Sequence, residues 1–496
     1  MPLLCIMQVY FVAFATFWLS FRNKSMSHAF SLAVPEPRLW LASGCTESPT
    51  GPFGTCLCSI RGRKAVKRLK SLGTSPEVAW CLYDWANSSF VTTITAAVLP
   101  VYFARVVCGE ADVHWSLLGR QLTSGATSLW GYAMALAALL VAVLSPLFGA
   151  AADAGGRRKL LTGLLTGLGV ASAALLAFFG SGDVWPVLLL LVTGQIGFAG
   201  SNVFYNSLLL SAASPERRDV VSAKGFAFGY LGGGILLALN LLLIANPGIL
   251  GLQTADQATR VAFASVAVWW ALFSIPLFLF VPEGPSGSAR SIGQALREGL
   301  STLAATLRNL SGHDNAFRFL LSYLLYNDGI QTVIIMATIF GKSELGLDDG
   351  DLIGALLLTQ GIGVPASVAY GRLAQRFGAR RMLFAGITGY LAIVLYAYRM
   401  QTATEFWVLA GAVGLLQGGV QAVSRSYFAG MIPRRLSAEY FGFFSISTRF
   451  ASIFGPLIFA LIADITDSAR GSILALAVFF LAGGALLSTV REERKR

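Results

Sequence analysis

From residue 78 onward the chain alternates between long apolar stretches and short polar breaks. A membrane-crossing helix needs about 20 mostly apolar residues. Twelve stretches meet that requirement: 78–104, 128–151, 160–180, 185–211, 221–245, 261–281, 316–340, 352–374, 382–398, 405–431, 440–463 and 471–489. Of the 496 residues, 55% are hydrophobic and 12% charged, against roughly a quarter charged in a soluble domain. No soluble interior hides this much apolar surface behind so few charges. The pattern predicts an all-α membrane protein.

Charge changes the picture only by its position. The net charge of +12 would suggest nucleic acid on a soluble protein. Here the Lys and Arg residues fall in alternate connections. The even-numbered connections and the two tails hold 25 of them, including Arg61–Lys70, Arg157-Arg158-Lys159, Arg217-Arg218, Arg380-Arg381 and Arg434-Arg435, against six in the odd-numbered ones. Membrane proteins place such residues in cytoplasmic loops, so both ends of the twelve-helix body are expected in the cytoplasm. No nucleic-acid partner is needed to explain the surplus.

Residues 1–77 form a separate N-terminal extension, disordered or over-long at its start, with a basic juxtamembrane run. A targeting segment over Leu3–Phe21, or a thirteenth span, are the alternatives. The remaining expected divisions are a six-helix bundle over 78–281, a linker over 282–315, a second six-helix bundle over 316–490 and a basic tail over 491–496. Ser291-x-x-Gln294 opens an amphipathic pattern in the linker (Ile292, Leu296, Leu300, Leu303, Leu307, Leu310), read as a helix on the cytoplasmic interface. The six cysteines and three histidines show no metal-ligand spacing. No metal, cofactor or disulfide is expected. G-x-x-x-x-G-K-[ST], H-E-x-x-H and a nucleophile elbow are all missing, so the sequence carries no motif for ATP drive or hydrolysis.

The chain repeats itself. Gly149-Ala-Ala-Ala-Asp153-Ala-Gly-Gly156-Arg157-Arg158-Lys159 follows span two, and Gly371-Arg-Leu-Ala-Gln375-Arg-Phe-Gly378-Ala-Arg380-Arg381 follows span eight, 222 residues later. Leu82-Tyr83-Asp84 in span one is echoed by Leu325-Tyr326-Asn327 in span seven. Six spans plus six spans is a duplicated transporter body. The glycine lets a helix end approach a neighbour closely. Asp153 can cap a helix N-terminus and pair with an arginine. Gly149, Asp153, Arg157, Arg158, Gly371, Gln375 and Arg380 are therefore candidates for a conformational latch, weaker in the second copy, where Gln375 replaces the acid. The motif resembles the loop motif of the major facilitator superfamily, which implies two pseudo-symmetric six-helix bundles.

Three blocks narrow the resemblance: Trp80-Cys-Leu-Tyr83-Asp84-Trp85-Ala86-Asn87-Ser88, Ser322-Tyr-Leu-Leu-Tyr326-Asn327-Asp328-Gly329-Ile-Gln331, and Gln417-Gly418-Gly419-Val-Gln421-Ala-Val-Ser424-Arg425. With Gly225-Phe-Ala-Phe-Gly229-Tyr-Leu-Gly-Gly233 they resemble the vacuole effluxer-like branch of that superfamily, which implies transport of amino acids or similar small solutes. No proline occurs between Ser222 and Asn246, a departure from the antiporter-type major facilitators.

Polar groups inside hydrocarbon are costly and need a partner or a wet cavity. Asp84 and Asn87 in span one, and Asn327, Asp328 and Gln331 in span seven, are the leading pathway candidates. Asp328 lies about 18 Å into its helix, near the midplane. Asn202, Tyr205 and Asn206 share a face of span four, and Gln417 and Gln421 a face of span ten. Arg449, nine residues into span eleven, is read as a carboxylate clamp or a structural ion pair. Arg425, nearer the cytoplasmic end, is a further pathway candidate that could also simply snorkel, and Arg318 is read as interfacial. Gly225, Gly229 and Gly233 form a smooth packing face.

The expected function is a secondary or facilitative transporter of a small organic solute, working by alternating access, with proton coupling open to Asp84 or Asp328. A transport-inactive sensor or scaffold that keeps the fold is the alternative, and an embedded enzyme lacks a nucleophile–base pair. A monomer in a bilayer is expected, in a bacterial inner membrane given the short C-terminal tail and compact loops, or in a vacuolar membrane if the source is eukaryotic.

Overall fold

The computed structural model describes residues 75–109, 112–117, 120–155, 157–283, 314–450, 462 and 469–491. The N-terminal extension, the expected amphipathic linker helix and the last five residues lie outside the described residues.

Twelve helices follow one another: α1 (Pro76–Val107), α2 (Ala126–Gly155), α3 (Arg158–Leu176), α4 (Val184–Ala212), α5 (Arg218–Ala245), α6 (Ala255–Phe280), α7 (Asp314–Leu345), α8 (Asp349–Phe377), α9 (Ala379–Arg399), α10 (Ala403–Met431), α11 (Ser437–Phe450) and α12 (Ala469–Thr489). Among the described residues, eleven are long and apolar enough to cross a membrane. The other, α11, is the described part of the expected span 440–463.

Local chemistry sets the helix ends. Ser75 caps α1 by accepting from the Val78 N–H, with Pro76 at the first helical position. Thr402 and Glu405 form a reciprocal capping box at the start of α10. Within α1 the backbone widens into π-helical turns at Phe90–Val98 and Phe103–Val107. They flank Pro100, which lacks the N–H of a regular turn and crowds the carbonyl four residues back.

One connection differs from expectation. The segment between α1 and α2 is a two-stranded antiparallel hairpin, β1 (Val113–Leu117) with β2 (Arg120–Ser124). The Trp115 indole donates to Ser124 Oγ at 3.0 Å and packs against Trp185 at the start of α4. Strands of five residues leave too little alternation to register against the long apolar runs.

The halves meet through two equivalent helix pairs, α2 with α11 and α5 with α8. Glycines make both approaches possible. A Cβ on Gly149 would fall on the Ala438 carbonyl, and one on Gly371 would strike the Ala223 side chain and the Asp219 carbonyl. Gly225, Gly229 and Gly233 of α5 lie on α1, against Asp84, Ser88 and Thr92 respectively.

Candidate functional site

A cavity of about 580 Å³ lies between the halves. Asp84, Asn206 and Arg425 form its floor, toward the ends that carry the basic connections. Its walls run to Ala96 in α1, Leu352 in α8 and Phe406 in α10, near the opposite ends. Asn87, Asn202, Gln331, Gln417 and Gln421 line it as well.

The two walls differ in how their carboxamides are engaged. On the first half, Asn87 Nδ2 donates to Asn202 Oδ1 at 2.9 Å, Asn202 donates to the Phe198 carbonyl, and Gln195 donates to Thr95 Oγ1. On the second half, Gln331, Gln417 and Gln421 have no side-chain hydrogen bond among the described residues. Gln417, Gln421 and Arg425 succeed one another at four-residue steps, so α10 presents them as a single stripe.

Arg425 does not snorkel. It is 4% exposed and seated among groups of the first half. Its Nε donates to Ser222 Oγ at 2.9 Å, and its Nη2 to the Ser222 carbonyl at 2.8 Å. Both terminal nitrogens lie 3.4 Å from Asp84 Oδ2, and Nη1 also reaches Asn206 Oδ1. The guanidinium carbon stands 4.7 Å from the Trp80 ring and 4.6 Å from Phe226. Tyr205 is not a wall residue; its hydroxyl donates to Asp84 Oδ2 at 2.7 Å and its ring stacks on Trp80. Depth alone left Arg425 open between a pathway residue and a snorkelling one. Its Cα is only about 9 Å from the end of α10, but the other half blocks its route to water.

Asn327 and Asp328 are brought to a different place from Asp84. They are 0% and 2% exposed and are not wall residues. Both amide atoms of Asn327 lack a hydrogen-bond partner among the described residues. The Leu-Tyr-Asp/Asn echo therefore does not place its third residues alike. The Arg449 side chain lies outside the described residues. Arg318 is at the surface end of α7, donating to the Thr489 carbonyl.

Trp80, Ser222 and Phe226 join the site without having been singled out. Ser222 continues the Gly225–Gly229–Gly233 face by one more three-residue step, and that spacing was the available signal.

The candidate latch residues divide by copy. Asp153 accepts from Arg158 Nε at 2.8 Å and, across the halves, from the Glu439 backbone N–H in the first turn of α11 at 2.9 Å. Arg158 reaches the carbonyls of Arg434 and Arg435. Asp153 lies three residues beyond the apolar span Ser128–Ala150. Burial pushes its carboxyl up from 3.8 to about 7, against the pull of Arg158. In the second copy, Gln375 Nε2 donates to the Glu216 carbonyl at 2.9 Å. Arg380 instead bonds the Ser488 carbonyl within its own half. Arg157 holds the N-cap position of α3 without a side-chain cap.

The family model for vacuole effluxer Atg22-like proteins matches residues 75–496. The chain belongs to that family. This Atg22-like protein is 36% identical over 423 residues to the uncharacterized MFS-type transporter YxiO of Bacillus subtilis, covering 85% of this chain and 96% of YxiO. It is 27% identical over 471 residues to autophagy-related protein 22 of Eremothecium gossypii, covering 84% and 90%. Among solved structures, the human organic anion transporter MFSD10 superposes with a TM-score of 0.64 at 16% identity, over 83% of this chain and 98% of that one. The proton:xylose symporter XylE gives 0.62 at 15%, over 84% and 95%. The Atg22-like protein has the all-α major facilitator fold and is an integral, multi-pass membrane transporter.

Proposed function

We propose that this protein carries small zwitterionic solutes, amino acids foremost, through the bilayer by alternating access. The carrying observation is the central cavity, whose second-half wall offers Gln331, Gln417 and Gln421 as unengaged donors and acceptors. A solute of amino-acid size fits 580 Å³. Among the described residues, the one charged pair on its floor is internally balanced, which favours cargo of no net charge.

The basic connections are assigned to the cytoplasm. In this state the cytoplasmic side is closed by Asp153 on α11, by Gln375 on the chain before α5, and by Arg425 in the first half. Asp84 is the candidate for proton coupling, since its carboxylate borders the cavity.

Counterflow into proteoliposomes tests the reading, with labelled leucine, glutamate, lysine and glucose. Leucine is expected to exchange and glucose not. Gln417→Ala with Gln421→Ala is expected to slow leucine roughly tenfold or more, the effect of losing hydrogen bonds to a bound solute. Exchange of none of the four, or an unaffected double variant, would refute it. Uptake at equal rates with and without a pH gradient would remove the coupling.

A further inference from the structure

Arg425 belongs to α10 of the second half, yet its hydrogen-bond and ring partners all belong to the first: Asp84 and Trp80 from α1, Asn206 and Tyr205 from α4, Ser222 and Phe226 from α5. Five hydrogen bonds use its five N–H groups. The guanidinium is a plug, and the first half is its socket.

Withdrawal of the plug leaves a recess with a carboxylate at its base, indole and phenyl faces on its sides, and serine and asparagine oxygens at its rim. That is the recognition chemistry of an organic ammonium. Asp84 is already part-way exposed to the solute, with its side chain 14% accessible at the cavity floor. Tyr205 and Arg425 are both drawn to Oδ2, and Oδ1 has no hydrogen bond among the described residues.

Opening the basic side must part α10 from α1 and α5, since Arg425 and the Ser222–Ala422 and Ser426–Asp219 hydrogen bonds cross that seam. Asp84 would then stand in the aromatic recess with no countercharge, a strongly disfavoured state. We propose that the socket is a state-dependent ammonium site. As Arg425 leaves, the primary ammonium group of the solute takes its place over Asp84, between Trp80 and Phe226. This rests on the reading of the chain as a transporter whose halves part at the cavity floor. It adds that a solute lacking a cationic group cannot complete the exchange.

The test vacates the socket without needing the cargo. Purified full-length Arg425→Ala is melted in detergent with n-propylammonium chloride or with sodium chloride at equal ionic strength. The amine is expected to raise its melting temperature by several degrees. Wild type, with the socket filled, and the double variant Asp84→Asn/Arg425→Ala, without the carboxylate, are expected not to respond. No shift, an equal shift in the double variant, or stabilisation matched by acidification from about pH 8 to about pH 6 without amine would overturn the proposal. The last result would make the socket a proton site. A second variant, Trp80→Leu, leaves the ion pair in place but removes one ring face. It is expected to raise the half-saturating leucine concentration in counterflow roughly tenfold, about 1.4 kcal/mol of binding. An unchanged value would count against the site. Failure of leucine exchange in wild type refutes the proposed cargo and leaves the melting result to decide the socket.

Discussion

At the scale of single residues, the floor of the cavity is governed by the expense of a lone buried charge. Asp84 and Arg425 are each tolerable because the other is present, with Tyr205 adding a hydrogen bond to Asp84 and Ser222 and Asn206 accepting from Arg425. Arg425→Ala and Asp84→Ala are each expected to destabilise the protein by about 3–5 kcal/mol, since each strands its partner. The double variant should lose less than the sum, by about 1–3 kcal/mol. Thermal melts of the four proteins check this, and strict additivity would mean the pair is not coupled. The seating of Arg425 illustrates what sequence does not carry. Counting residues from a helix end gives depth, and Arg425 and Arg449 were both judged that way. Depth does not reveal which helix stands opposite, and for Arg425 the opposing half decides everything. Asn327 shows the same gap: it was placed beside Gln331 on one face, yet Gln331 borders the cavity while Asn327 is sealed in the core.

At the scale of helices, much more was legible, because the bilayer imposes a length and a hydropathy on every crossing segment. Eleven of the predicted spans appear as such helices, offset by a few residues where caps such as Ser75 or Thr402 lie outside the apolar run. The glycine rows were legible for a related reason, since a smooth face inside a membrane signals contact with another helix. The hairpin and the widened turns of α1 were not, since a five-residue strand and the neighbourhood of Pro100 leave only a short-range trace. The close pairing of α2 with α11 makes a sharp forecast. Gly149→Val would drive a branched side chain into the Ala438 backbone and force the basic ends apart. A cysteine placed at Asn206 is expected to become more reactive from the side of the basic connections in that variant, measured with a membrane-impermeant maleimide. Unchanged labelling would show that the pair tolerates the bulk.

At the scale of the whole molecule, Asp153 connects the closed arrangement to pH. Burial against α11 pushes its carboxyl up to about 7, and release into water would return it toward about 4. The closed arrangement therefore binds a proton more tightly, and acidification favours it. The effect develops as pH falls through about 7, is complete near about 4, and is absent at alkaline pH, where Asp153 is ionised in both arrangements. A shift of this size exceeds tenfold in the equilibrium. Spin-label distances between the α2–α3 and α10–α11 connections, followed across that range, should show the closed population rising on acidification. The same titration in Asp153→Asn should be flat over this window; a wild-type response of opposite sign would contradict the argument.

The two fastenings between the halves also differ in kind. One copy of the motif holds its corner with a carboxylate, an arginine and a helix N-terminus together; the other contributes a neutral amide from Gln375. On the second flank the grip has moved from the loop into the bundle, where Arg425, Ser222 and Ser426 tie α10 to α5. One seam is buttoned at its rim and the other partway down, so the two would come undone in a different order from the outside inward.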